Sequence, residues 1–170
     1  GQLPEARFPL ANVDQAGRRV TYLNPDALPR AFFVKQVDIA RNQTEVFAKL
    51  NSAQFNAASM AVVEKTLPQE ITAPDSASAE IITYKSREIT LRAFTSSPAL
   101  LVLSEVYYPA GWKAYVDGNE TEIFKTNYVL RSVIVSAGDH TVSFKFDPPL
   151  YSTGWNLSRA AWGVAILCIL

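Results

Sequence analysis

Between Ala79 and Phe146 the sequence carries seven short β-rich segments, at 79–85, 88–95, 99–108, 112–116, 121–125, 127–135 and 140–146, all within fewer than seventy residues. Short strands at such regular spacing, each closed off by turn residues, predict an antiparallel sandwich or barrel-like domain. Asp117-Gly118 is a strong signal for a type I′ hairpin, because both central positions of that turn need positive φ. Ala137-Gly138-Asp139 marks a second tight turn. In the last segment His140, Val142, Phe144 and Phe146 alternate with Thr141, Ser143 and Lys145, as a sheet with one wet face requires.

Upstream the pattern is less regular. The stretch to Pro29 is interrupted by Pro4, Pro9, Gly17, Pro25 and Pro29 and offers one short strand candidate at 19–23. Residues 30–39 alternate and read as a single strand, and 58–63 as another. Residues 43–50 are the best helix pattern in the first two thirds of the chain. There Val46, Phe47 and Leu50 share a face, with Asn42 placed to cap and Glu45 placed to complete a capping box. That apolar stripe needs a partner, so the helix is expected to pack on a sheet or on the strand at 30–39. From 68 to 78 the composition shifts to Pro, Ser, Ala and Asp and reads as a linker. The expectation is therefore a mainly β chain: an N-terminal α/β subregion with its linker at 1–78, an antiparallel β-sandwich of about seven or more strands at 79–150, and an apolar helix start at 151–170.

Composition narrows the functions. Hydrophobic residues make up 48% and charged residues 19%, which excludes disorder. Sixteen basic against sixteen acidic residues leave no net charge, which argues against nucleic acid as the main partner. A single Cys and a single His exclude a His- or Cys-rich metal site and a disulfide within the chain. No Walker A loop, GxGxxG or zinc spacing occurs, so no cofactor is expected. The run from Ala160 to Leu170, AAWGVAILCIL, has no charge and ends at the last residue. It is shorter than the roughly 20 apolar residues of a span, yet Arg159 and Trp162 stand where interfacial anchors would, so it is expected to be the start of a truncated membrane helix.

The order LVLSEVYYPAGWK, VDG, NYVLR, a Gly turn before His140-Thr141-Val142, and Phe144-Lys145-Phe146-Asp147-Pro148, together with Leu28-Pro29-Arg30-Ala31 upstream, resembles the C-terminal extracytoplasmic domain of the YfhO family of bacterial multi-pass membrane proteins. The resemblance covers roughly residues 24–170. It departs at Ala110, inserted between Pro109 and Gly111. What it implies is a piece of a membrane glycosyltransferase of the cell envelope that uses a lipid-linked sugar. The catalytic acid and most membrane helices would then precede this domain, and a last helix would follow it. The implied location is the outer side of the bacterial cytoplasmic membrane, with the protein's own transmembrane region and an envelope glycan or lipid-linked sugar as partners.

From the residues themselves, Tyr107, Tyr108, Trp112, Tyr115 and Tyr128 concentrate aromatic surface, which either fills a sandwich core or stacks on sugar rings. Tyr107 and Tyr108 are adjacent on a strand and face opposite sides. Lys113, Lys125, Asn127 and Arg131 bring donors for hydroxyl or phosphate oxygens, or simply sit on solvated faces. The candidate ligand-binding set is Tyr108, Trp112, Lys113, Asn127, Tyr128 and Arg131, with no catalytic residue assigned. Glu105 follows an apolar run and reads as an end-of-strand or salt-bridged residue. His140, without a nucleophile motif beside it, reads as a turn and strand-start residue. Three readings stay open: a non-catalytic accessory domain, a carbohydrate-binding module, and a structural domain packing on its own membrane helices.

Overall fold

The computed structural model describes residues 9–13, 19–148, 154–155 and 158–159. The expected C-terminal helix start, including the 160–170 run, lies outside them but for those last two pairs. Among the described residues no helix is long and apolar enough to cross a membrane.

Among the described residues the chain is mainly β, with three antiparallel or mixed sheets and one helix of more than a turn. Strands β1 (Leu10–Val13) and β2 (Val20–Tyr22) form a small hairpin. Next come β3 (Ala31–Val34), β4 (Gln36–Ile39), α1 (Gln43–Leu50) and β5 (Met60–Val63). They are followed by β6 (Ala77–Lys85), β7 (Glu88–Thr95), β8 (Ala99–Val106) and β9 (Trp112–Val116). The last four are β10 (Asn119–Thr121), β11 (Phe124–Thr126), β12 (Leu130–Val135) and β13 (Gly138–Phe146). A five-stranded sheet runs β10-β9-β13-β7-β6 and a six-stranded one runs β3-β8-β12-β11-β5-β4.

The segment expected as one strand at 30–39 is two strands, broken at Lys35. Its first half pairs with β8, antiparallel, and its second half with β5, parallel. The two amides at the break, of Lys35 and Gln36, both donate to the Ser59 carbonyl, at 2.8 and 3.0 Å. Since β3 and β4 end the strand order on opposite sides but are joined by one residue, the six-stranded sheet curls back onto its own first segment. Inside the curl lie Val34, Ala61, Val63, Leu100, Val102 and Phe124.

Between the two sheets sits the larger core, with Leu101, Leu103, Val133 and Val135 from one side and Ile89, Leu91, Ala93, Ala114, Val142 and Phe144 from the other. Strand β8 therefore buries both faces, alternate residues going to each core. That is why Ala99 to Leu103 reads as an unbroken apolar run. Helix α1 packs Val46 against Ala40 and Val62 on the outer side of β5. Its N-cap is built as expected, with Asn42 Oδ1 accepting from the Glu45 amide, but Glu45 accepts from the amide of Arg41, one residue before the cap, instead of closing a capping box on Asn42, both at 2.9 Å.

Two further segments differ from the sequence pattern. The 121–125 strand resolves into β10 and β11 on different sheets. The 127–135 strand begins only at Leu130, because Asn127 and Tyr128 turn the chain with φ of 47° and 71°. At Asp117 and Gly118 φ is 50° and 82°, the positive pair that the type I′ hairpin requires.

Candidate functional site

Register decides which polar side chains enter the space between the sheets. Leu103 lies opposite Arg131, and Leu101 opposite Val133, so Arg131 shares the inner face with the core valines of β12. Glu105 continues the inward set of Leu101 and Leu103 on β8. On β6 the register slips between Ile81 and Thr83, after which Tyr84 rather than Thr83 stands opposite the buried Ile89. A bulge of this kind re-aims a side chain, and here it puts Tyr84, still about half exposed, on the core-facing side at the same end of the sandwich.

The result is a polar cluster at the rim of the inter-sheet core. Tyr84 Oη donates to Glu105 Oε1 at 2.6 Å, and Arg30 Nη1 donates to the same oxygen at 2.9 Å and to Tyr84 Oη at 3.2 Å. Arg131 Nη2 lies 3.9 Å from the other Glu105 oxygen. The bond to Glu105 raises the Tyr84 phenol above its ordinary pKa, because ionisation would break it and set two negative charges together. Burial pushes the Arg131 guanidinium down from its usual value, against the pull of Glu105. Arg131 is 1% exposed, and its Nε and Nη1 have no hydrogen-bond partner. What covers the charge is aromatic: the Trp112 ring centroid is 4.1 Å from the guanidinium carbon and that of Phe144 is 5.1 Å.

Over this floor opens a cavity of about 240 Å³ lined by Tyr108, Trp112, Lys113, Glu120, Glu122 and Arg131, among others. Tyr108 is 53% exposed at its mouth. Lys113 and Glu120 bridge its wall at 3.3 Å, which raises the Lys113 pKa. Glu122 is tied to Lys65. The loop that carries Tyr108 is tied to the residues just after β13: the Asp147 amide donates to the Gly111 carbonyl at 2.7 Å.

Four of the six candidate ligand residues, Tyr108, Trp112, Lys113 and Arg131, thus meet at one cavity. The other two stand elsewhere. Asn127 uses its side-chain oxygen to accept from the Val62 amide at 2.8 Å, standing in for a missing strand partner of β5. Tyr128 packs on Phe47 of α1 with ring centroids 4.5 Å apart, under Lys125 Nζ at 4.7 Å. Among the described residues no group of three His, Cys, Asp or Glu converges as a metal site.

A second cluster, which the sequence pattern did not single out, lies at the opposite end of β9 and β12. His140 Nδ1 is 2.6 Å from Asp117 Oδ2, and its Nε2 is 3.1 Å from Ser136 Oγ and 3.4 Å from the Ala137 carbonyl. Asp117 Oδ1 also accepts from the Thr141 amide at 2.8 Å. These bonds hold Asp117 below the usual carboxylate range, and the Asp117 bond raises His140 above the usual imidazole value. The only hint in the sequence was that both tight turns, Asp117-Gly118 and Ala137-Gly138-Asp139, flank this point.

The architecture is that of an antiparallel β domain in which two sheets enclose a double core and one rim holds a polar, aromatic-walled cavity. The family model described as bacterial membrane protein YfhO matches residues 13–158, and the chain belongs to that family. It is thus a member of a family of bacterial membrane proteins. Comparisons with the curated proteins and with the solved structures returned no match.

Proposed function

We propose that this chain is the extracytoplasmic accessory domain of a bacterial membrane glycosyltransferase that draws on a lipid-linked sugar, and that its rim cavity holds a segment of the envelope glycan acceptor. The observation that carries the reading is the chemistry of the cavity wall. Tyr108 and Trp112 offer ring surface beside Lys113 and Glu120, which respectively donate and accept. Sugar hydroxyls need both kinds of partner and the apolar faces of a sugar ring suit aromatic surface, an extension of general aromatic physics.

The carboxylates around the cavity are each engaged: Glu105 with Tyr84 and Arg30, Glu120 with Lys113, Glu122 with Lys65. This favours a binding role and leaves transfer chemistry to the membrane portion of the protein. Position adds support. Asp147, bonded to the cavity loop, is followed within 13 residues by the apolar run at Ala160. At roughly 3.5 Å per residue the cavity lies within about 45 Å of a membrane that run would enter.

The test is binding of arrayed glycans and purified envelope polymers by the full chain. Saturable binding is expected, weakened about 5- to 30-fold by Tyr108→Ala or Trp112→Ala and unchanged by Tyr128→Ala, whose ring lies on α1. Absence of binding, or equal loss in all three variants, overturns the reading.

One observation favours a second reading. Val106, Tyr108 and Val129 are exposed by 69%, 53% and 47%, and the Tyr107 amide ties their two loops together by donating to the Val129 carbonyl at 2.7 Å. Such a patch also suits packing on the protein's own membrane helices. A Val106→Lys, Val129→Lys variant that leaves assembly of the whole protein intact removes that reading.

A further inference from the structure

At the end of the sandwich away from the rim cavity, three side chains stand in the order nucleophile, base, orienting acid. Ser136 lies just beyond β12, His140 is on β13, and Asp117 is in the β9–β10 turn. The first hydrogen bond, Oγ to Nε2, is 3.1 Å and the second, Nδ1 to Oδ2, is 2.6 Å. Both fall within the reach expected of a nucleophile and base and of a base and its orienting group.

The order follows from the fold. His140 continues the inward set of Val142 and Phe144 past the end of β9, and the Asp117 amide donates to the Thr141 carbonyl at 2.9 Å. With its backbone and Oδ1 both held by Thr141, Asp117 presents Oδ2 to the imidazole. The four-residue return from Ser136 to His140 sets the hydroxyl against the other ring nitrogen. Ser136 also lines a cleft of about 330 Å³ with Gln69, Val116, Asn119 and Phe124, and with Glu120 and Glu122, whose carboxylates are paired with Lys113 and Lys65.

We propose that Ser136, His140 and Asp117 form an acyl-transfer site that cleaves small O-acyl esters entering this cleft. Ser136 Oγ bonds to the acyl carbon while its proton passes to His140 Nε2. The ester C–O bond breaks, and the departing alcohol takes the proton from Nε2. Water then attacks the acyl-serine, giving a proton to Nε2 that returns to Ser136 Oγ as the acid leaves. Ester and water become acid and alcohol, with no other reactant. Asp117 is a positioning residue that holds the Nδ1–H tautomer. Asn119 and Gln69 line the same cleft, and their amides would be the donors to the developing oxyanion.

None of the three side chains lines the rim cavity, although the cleft and that cavity have Glu120, Thr121 and Glu122 in common. The test is reaction of the full chain with a fluorophosphonate probe, mapped by mass spectrometry, together with hydrolysis of p-nitrophenyl acetate. The expected result is a label on the peptide carrying Ser136, with turnover above the Ser136→Ala background. His140→Gln is expected to slow labelling by about 100-fold or more. Ser136 is exposed, so Ser136→Ala keeps the fold, as circular dichroism will report, and the test stands even where a His140 variant is unstable. No label on Ser136, labelling unaffected by loss of His140 in a folded variant, or turnover equal to that of Ser136→Ala overturns the proposal.

Discussion

The guanidinium of Arg131 and the indole of Trp112 reach each other across the sandwich, 4.1 Å from carbon to ring centroid, one from each sheet. With Nε and Nη1 unpartnered, the charge is held by ring faces and by Glu105 rather than by hydrogen bonds. The aromatic wall of the cavity and the ion beneath it are therefore one unit. Truncating Trp112 is expected to cost about 2–4 kcal/mol, from lost packing and from uncovering the charge. A double-mutant cycle of Trp112→Ala with Arg131→Met, read by urea unfolding, should return a coupling of about 1 kcal/mol or more. Additive effects would mean that the ring and the ion stabilise the fold separately.

Glu105 holds together a cluster drawn from three strands and a loop. Replacing it with Gln removes the charge that Arg30 and Arg131 face and weakens the bond from Tyr84. The Tyr84 phenol, now raised chiefly by that bond, is expected to fall toward its ordinary pKa. Ultraviolet titration of tyrosinate, with Tyr84→Phe to assign the signal, checks the direction. Stability should drop, by less than for a fully buried pair because Arg30 and Tyr84 keep much of their solvent contact. An unshifted phenol in Glu105→Gln would contradict the geometry.

How far the sequence could reveal these features depended on whether the signal was local. The Asp117-Gly118 hairpin, the α1 cap and the inward set of β13 all follow from neighbouring residues, and each is found as expected. The break at Lys35 was invisible, because pairing with β8 and with β5 is decided by strands far along the chain, and alternation alone continues through it. By sequence Tyr128 groups with Trp112 as an aromatic candidate, but two left-handed residues and the unpaired stripe of α1 take its ring to Phe47. Tyr84 was unremarkable in sequence, since its inward face depends on a bulge. Ser136, His140 and Asp117 meet only through the register of β13 on β9.

The His140–Asp117 pair sets a window of pH for stability. Asp117 is depressed in the folded state, so its contribution is present above the ordinary carboxylate value and fades as pH falls through the lower folded value. His140 is raised, so its contribution is full below the ordinary imidazole value and is lost as pH rises through the higher folded one. The pair is therefore strongest in mildly acid solution, between the two ordinary values. Thermal melts from pH 4 to pH 9 should show the His140 part declining at the alkaline side, and the decline should vanish in His140→Gln. Proton NMR of the imidazole should place its titration above that of a free histidine.

Gly111 carries a constraint that no other residue can meet. Its φ is 125°, and a Cβ there would stand 2.9 Å from Pro148 Cβ and 3.0 Å from Pro148 Cα. Because the Asp147 amide is bonded to the Gly111 carbonyl, the loop bearing Tyr108 cannot shift without moving the end of β13. Gly111→Ala is expected to cost about 1–3 kcal/mol through the strained backbone and the clash. It should also raise hydrogen exchange at Asp147 and lower affinity at the rim cavity more than its effect on global stability explains. Gly118→Ala is the control: φ there is 82°, but nothing lies within 4 Å of its Cβ. It should show a smaller loss of stability and leave the cavity untouched. Equal effects of the two substitutions on cavity binding would show that the Gly111–Asp147 bond does not set the loop's position.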